Sequence, residues 1–208
     1  MSRLLALLLS AALLPATASA ADTVFSANPF AGSPADPNDG VRTVFANGQR
    51  SLPSFDQAQD RFVFDPAFFA IGGSLSFANG VSGSLPSGGA NLIVIRDTGP
   101  GFNAGSAANA IAAAVTTDGA GFFVYHNVGL GVNRLVYSTN LNLATADLAI
   151  LARVESPTGA DALAALPGFA AQNFALTTAV PEPTSLALML GGLAGIGMRA
   201  RRRAARLG

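Results

Sequence analysis

The two longest apolar runs of the chain lie at its two ends, and this placement decides which residues can form a folded domain. One run covers residues 4–14 and the other covers residues 186–198. Terminal segments of this kind direct targeting, so they are set aside before the fold is considered. Residues 21–179 remain as one domain, and a chain of that length buries enough surface to fold without disulfides or a structural metal.

The N-terminal run has the three parts of a secretory signal peptide. Arg3 supplies the positive start and residues 4–14 supply the apolar centre. Ala18 and Ala20 then place small side chains at the −3 and −1 positions of a cleavage site, as signal peptidase requires. We predict that signal peptidase removes residues 1–20, cutting after Ala20 or one residue later. The alternative, an N-terminal membrane anchor, is disfavoured because the apolar run is short.

The C-terminal end also consists of three consecutive parts. Pro181-Glu182-Pro183 comes first, the uncharged residues 186–198 follow, and a cluster of arginines closes the chain. As a helix this run is about 20 Å long against a hydrocarbon core of about 30 Å, so it is a marginal transmembrane helix that snorkelling arginines extend. Basic flanks stay in the cytoplasm, which puts the preceding domain outside. The predicted cytoplasmic stop-transfer residues are Arg199, Arg201, Arg202, Arg203 and Arg206.

In this order, and behind a signal peptide, the three parts resemble the PEP-CTERM sorting segment of Gram-negative bacteria. The resemblance covers residues 180–208. It implies a transient anchor in the inner membrane and cleavage by exosortase, an integral membrane protein. It also implies a destination at the cell surface or in the extracellular matrix, where such proteins are associated with exopolysaccharide and biofilm. The alternative is an ordinary single-pass anchor that contains Pro-Glu-Pro by chance.

Charge and cysteine content narrow the functions open to the domain. All 12 basic residues of the chain are arginines, and the domain keeps six of them against eleven acidic residues. An acidic domain repels phosphate backbones, so nucleic acid is not expected as a partner. The chain has no cysteine, which excludes a cysteine nucleophile and thiolate metal sites.

Short apolar runs separated by Gly, Pro, Asn and Asp predict a mostly β fold. The predicted strands cover residues 41–46, 61–65, 74–79, 91–97, 121–127, 134–139 and 147–154, whereas residues 22–40 are predicted as loop. Helices are predicted at the alanine-rich residues 104–116 and at residues 159–166. The strand spacing favours an antiparallel β-sandwich whose first helix crosses one end. The strand–helix–strand order over residues 91–127 leaves an α+β fold with a β-α-β unit as the alternative.

No set of residues in the domain predicts a catalytic or cofactor site. His126 is the only histidine, and Ser82 lies in a sequence one residue short of the Gly-x-Ser-x-Gly elbow of hydrolases. Asp147 and Glu155 could supply the two carboxylates of a glycoside hydrolase, although their spacing does not favour it. These residues are therefore predicted to be structural.

A metal site and a sugar-binding surface have equally weak support. Asp36, Asn38 and Asp39 match part of a calcium loop, but the later glutamate is missing and an Asx turn is favoured. A sugar platform would need Tyr125 or Tyr137 to be exposed. The predicted core phenylalanines are Phe62, Phe64, Phe68, Phe69, Phe122 and Phe123.

Taken with the two ends, these features predict an exported, non-enzymatic structural protein of the cell surface or matrix, with no cofactor and no metal. Two alternatives remain open. The domain could be an adhesin that binds polysaccharide with or without calcium, or a secreted hydrolase that acts on the matrix.

Overall fold

The computed structural model describes residues 20–33, 40–116 and 118–177. Ala18, residues 34–39 with the partial calcium loop, and the whole segment 178–208 lie outside the described residues. The predicted signal helix, C-terminal transmembrane helix, Pro-Glu-Pro and arginine cluster therefore lie outside them too. Within the described ranges, no helix has the length and apolar character needed to cross a membrane.

The described residues form ten strands and two α-helices. The strands are β1 Asp22–Phe25, β2 Val44–Phe45, β3 Arg50–Leu52, β4 Arg61–Phe64, β5 Phe77–Gly80, β6 Leu92–Ile95, β7 Gly121–Asn127, β8 Val132–Ser138, β9 Leu148–Val154 and β10 Phe174–Leu176. The α-helices are α1 Ala104–Ala114 and α2 Gly159–Ala165. Short 3-10 turns occur at Ser82–Ser84, Leu166–Gly168 and Ala171–Asn173. The prediction of a mostly β domain with two short helices is confirmed.

The larger of two sheets has seven strands in the order β2-β9-β8-β7-β6-β5, and β3 also pairs with β9. Strands β7, β8 and β9 are antiparallel, whereas β5, β6 and β7 run parallel to one another. Across both sheets six of the eight strand pairings are parallel, so the prediction of an antiparallel fold is wrong. Spacing along the chain predicted where strands lie, but it carries no information on which strands pair.

Strand β6, helix α1 and strand β7 form a β-α-β unit, which makes the fold α+β. Leu92 lies opposite Phe122 in adjacent parallel strands. Parallel neighbours need a long crossover, and α1 supplies it. Asn103 caps the start of the helix, because its Oδ1 accepts the backbone N–H of Ser106 at 3.1 Å, and the helix packs the buried Ile111 onto the sheet. The predicted position of this helix, crossing one end of a sandwich, is therefore wrong.

The smaller sheet contains β1, β4 and β10, with β4 in the centre. All its pairings are parallel: Asp22 lies opposite Arg61, and Phe174 lies opposite Phe62. Residues 22–25, predicted as loop, form an edge strand of this sheet. Because the three strands share one direction, they all begin at one end of the sheet and finish at the other.

The two sheets share a core built mainly from phenylalanine. Phe64 of β4 stacks on Phe122 of β7 with ring centroids 3.8 Å apart, and Phe69 meets both rings edge-on. Each fully buried phenylalanine contributes about 1.5–3 kcal/mol. Of the six predicted core phenylalanines five are buried, but Phe68 is 43% exposed and that prediction is wrong. The opposite face of the larger sheet packs against α1, which gives three layers.

Candidate functional site

Strand β10 joins the folded domain to the predicted sorting segment. Phe174 is buried against Phe62 of β4. The backbone N–H of Thr177 then donates to the carbonyl oxygen of Phe64 at 2.8 Å, which extends the β10–β4 contact by one residue. Thr177 is the last residue of the final described range, and only three residues separate it from Pro181. The described part of the domain therefore reaches to within three residues of the Pro-Glu-Pro.

The predicted signal-peptide cleavage site also lies close to a strand, because β1 starts at Asp22. Ala20 is exposed, and the backbone N–H of Ala21 donates to Asp60 Oδ1 at 3.0 Å. Asp22 and Arg61 form two hydrogen bonds of 2.9 Å each, and this pairing with Asp22 raises the pKa of Arg61. Cleavage after Ala20 would leave the new amino group beside the Asp60 carboxylate. No local pattern marked Asp60, because its partner lies 39 residues away in the chain.

Ala21 and Thr177, the described residues nearest to the two predicted processing sites, are at opposite ends of the smaller sheet. Strands β1 and β10 both run parallel to β4, so Ala21 lies where they begin and Thr177 lies where they finish. We name the second of these the exit end. It comprises residues 26–30, residues 65–71 and Thr177, which directly follow β1, β4 and β10. A four-residue strand separates the two ends by about 13 Å.

The surroundings of His126 indicate a structural role for this side chain. It is buried, and its Nδ1 lies 3.1 Å from Asn133 Oδ1. Asn133 Nδ2 donates to the carbonyl oxygen of Ala162 at 2.7 Å, so its oxygen is left to accept and His126 Nδ1 is the donor. Ser82 Oγ instead donates to Asp97 Oδ1 at 2.7 Å. Among the described hydrogen bonds the histidine is linked to an asparagine and the serine to an aspartate, so no Ser–His pair is assembled.

The two carboxylates considered for glycoside hydrolysis are far apart. Asp147 directly precedes β9 and Glu155 directly follows it, so about 25 Å separates them at the usual rise of a strand. Glycosidases need carboxylates within about 10 Å of each other. Asp147 accepts the backbone N–H of Thr43 at 2.6 Å. The hydrogen bond from Ser51, followed by the charge of Arg153, lowers the pKa of Glu155.

The clefts of the described domain do not present a sugar platform on tyrosine. Tyr125 is fully buried and Tyr137 is 4% exposed. A cleft of about 420 Å³ near the end of β9 is lined by Phe55, Asn133 and Phe169 among others. The ring of Phe55 stacks on Phe62 at 4.3 Å and on Phe169 at 5.5 Å, so it already has partners within the protein.

Metal-binding side chains do not gather either. In residues 20–33, 40–116 and 118–177, no three His, Asp or Glu side chains lie close enough together to hold an ion.

Burial raises the pKa of Tyr137, whose hydroxyl accepts the backbone N–H of Ala70 at 3.1 Å and so fixes the loop after β4. The polar groups of the described domain are thus mainly used to hold elements together.

Comparison with known proteins identifies the C-terminal segment. Residues 179–203 match the family model of the PEP-CTERM protein-sorting motif. The predicted motif is therefore confirmed, and it begins two residues after Thr177. This motif implies an exported, envelope-targeted protein that is sorted by exosortase. Searches against curated proteins and against solved structures found no match.

Proposed function

We propose that this chain is a non-enzymatic structural protein of the cell surface or biofilm matrix of a Gram-negative bacterium. The observation that carries the proposal is the PEP-CTERM motif at residues 179–203, which directly follows the last strand of a compact domain. Support for a structural role comes from the described polar groups. His126 binds Asn133, and Asp147 and Glu155 lie at opposite ends of β9.

The proposed route uses both ends of the chain. Signal peptidase removes residues 1–20, and residues 186–198 hold the product in the inner membrane for a time. The cluster that begins at Arg199 stays cytoplasmic because basic flanks resist transfer. Exosortase then cuts near Pro-Glu-Pro and delivers the domain to the surface or matrix, with exopolysaccharide as the expected neighbour there.

The first prediction tests this route at the motif itself. Pro181→Ala, Glu182→Ala and Pro183→Ala are combined in one variant. Prolines fix φ and disfavour helix in the preceding residue, so they keep the chain extended next to the membrane, where a membrane enzyme can reach it. Without them the protein should be exported normally and then accumulate in the membrane at nearly its signal-cleaved length.

The measurement is gel mobility and cell fractionation in a host that has exosortase. The matched control combines Thr184→Ala and Ser185→Ala, which changes the adjacent residues but leaves Pro-Glu-Pro intact, and it should be trimmed like the parent. Normal trimming and release of the Pro-Glu-Pro variant would show that the motif is not what the enzyme recognises.

A further inference from the structure

We propose that the exit end of the domain contacts the lipid surface while the protein is anchored, with the Phe68 side chain inserted among the headgroups. This inference rests on the proposed function, because it requires residues 186–198 to be in the membrane. It adds an interaction surface and a partner, namely the outer face of the same bilayer. The surface is defined by Phe68, and the exposed side chains of Val44 and Leu143 lie at the same end of the molecule.

The loop after β4 holds Phe68 outward in a fixed position. Its neighbour Phe69 is buried and meets Tyr137 and Phe122 edge-on, each at 5.1 Å between ring centroids. Asp65 Oδ1 accepts the backbone N–H of Ala67 at 3.0 Å, and the Asp65 carbonyl accepts that of Phe68 at 3.1 Å. The loop is therefore ordered before any contact is made, so an insertion by Phe68 has little conformational entropy to overcome.

Two further apolar side chains are exposed at this end. Val44 is 47% exposed and lies opposite Leu148, where β9 begins. Leu143 is 49% exposed and lies on the connection from β8 to β9, five residues after Ser138, the end of β8. The end of β8 lies at the exit end, because Tyr137 packs against Phe69. Phenylalanine and leucine are the side chains with which peripheral proteins enter the headgroup region.

The connection to the predicted membrane segment starts at the exit end of the domain. Eight residues, 178–185, connect Thr177 to the apolar run, and they span at most about 30 Å when fully extended. The exit end therefore stays within about 30 Å of the bilayer. The far end lies about 20 Å away, one strand length, and could reach the bilayer only if most of the connection were extended along the domain, so contact at the exit end is favoured.

Because of this connection, even a weak contact with the lipid is enough to keep the exit end at the membrane surface. A short linker holds the exit end near the lipid at an effective concentration of about millimolar, so the apolar side chains need not bind membranes on their own. After exosortase cuts the chain, this advantage is lost. The exit end is then expected to dissociate from the lipid, and the domain leaves the membrane.

The test uses the signal-cleaved chain with its sorting segment intact, in vesicles of phosphatidylethanolamine and phosphatidylglycerol. The chain has no cysteine, so Phe68→Cys and Leu130→Cys each provide one site for an environment-sensitive fluorophore. Leu130 is the matched control, because it is 53% exposed in the turn between β7 and β8. That turn lies a full strand, about 20 Å, from Phe122 and the exit end.

The fluorophore at position 68 should shift to the blue and lose at least half its emission when the vesicles contain lipids brominated on their acyl chains near the headgroup. The fluorophore at position 130 should keep its emission. An equal loss of emission at both positions, or no loss at either, overturns the proposal. Energy transfer between labelled copies without quenching by the lipid also overturns it, because that result would assign the surface to a dimer.

Flotation of the same samples separates this proposal from the function on which it rests. A chain that floats with the vesicles but shows no quenching at position 68 overturns the lipid contact alone. A chain that does not float overturns the membrane anchor and the contact together. Circular dichroism that matches the unlabelled parent confirms that Phe68→Cys leaves the fold intact.

Discussion

At the residue scale, a few charged side chains of the described domain link neighbouring strands or hold the end of a strand. Arg61 binds Asp22 across the smaller sheet, and Glu155 receives hydrogen bonds from Ser51 and Arg153 beside β9. Exposed ion pairs of this kind contribute little stability individually. These contacts instead help to fix the register of short strands, because such strands have few backbone hydrogen bonds.

The pKa of Glu155 gives a prediction with a definite sign. Its hydrogen bond from Ser51 lowers the pKa below the ordinary value of 4.5, so the folded state favours the ionised carboxylate. The resulting stability is present above pH 4.5 and is lost as the pH falls through the folded pKa. Glu155→Gln should therefore reduce stability at pH 7 and have a smaller effect at pH 3, as measured by urea unfolding. Ser51→Ala should reproduce the effect, and an equal loss at both pH values would contradict it.

Asp60 provides a second prediction at this scale. After cleavage behind Ala20, the Ala21 nitrogen becomes an ammonium group that faces Asp60 Oδ1. A charge-assisted hydrogen bond in an exposed position such as this one is worth about 0.5–1 kcal/mol. Asp60→Asn should destabilise a chain that begins at Ala21 by that amount. The same chain with an acetylated N-terminus is the control and should lose less, whereas equal losses would show that the terminal charge plays no part.

At the element scale, the sequence predicted most long elements and few of the pairings. Strand β7 and the start of helix α1 lie where alternation and alanine content predicted them, because those elements carry their pattern locally. Strands β1, β3 and β10 were missed. Each is only three or four residues long and pairs with a strand that is distant along the chain: β1 and β10 pair with β4 over 39 and 112 positions, and β3 pairs with β9 over 102 positions.

The functional features, like the strands and helices, could be predicted only where their signal is local in the sequence. Pro-Glu-Pro and its flanking segments could be predicted because their order along the chain is the signal itself. The exit end could not, since it depends on three strands running parallel. Phe68 was predicted as core because it adjoins Phe69 in an apolar run, and no sequence pattern indicates which of two adjacent phenylalanines faces the solvent at the end of a strand.

At Gly121, where β7 begins beside β6, there is no room for a side chain. A Cβ on Gly121 would lie 2.5 Å from the carbonyl oxygen of Asn91 and would also collide with the Leu141 side chain. That carbonyl accepts the backbone N–H of Phe122 at 2.9 Å, so it cannot move aside without loss of the pairing. Gly121→Ala should cost about 1–3 kcal/mol, as for other overpacked positions. Thermal unfolding measures this, and Gly73→Ala, where a Cβ meets nothing within 4 Å, should leave the midpoint nearly unchanged.

At the scale of the whole molecule, the predicted processing sites lie close to the limits of the described strand pairing. That pairing starts at Asp22 and extends as far as Thr177, and both predicted cleavage sites lie within a few residues of these positions in the sequence. A body bounded in this way can be released without loss of structure, provided that the C-terminal cut falls after Thr177.

The last prediction tests this boundary with two truncated chains. Residues 21–177 should fold cooperatively and give a β-rich circular dichroism spectrum, because all ten strands are present. A chain that ends at Asn173 lacks β10 and exposes Phe62 to water on one side. Removal of the buried Phe174 alone costs about 3–5 kcal/mol, a large part of the 5–15 kcal/mol that stabilises a domain. The shorter chain should therefore unfold at much lower urea or aggregate. Equal stability of the two chains would show that β10 is dispensable, and the C-terminal cut would then not be confined to residues after Thr177.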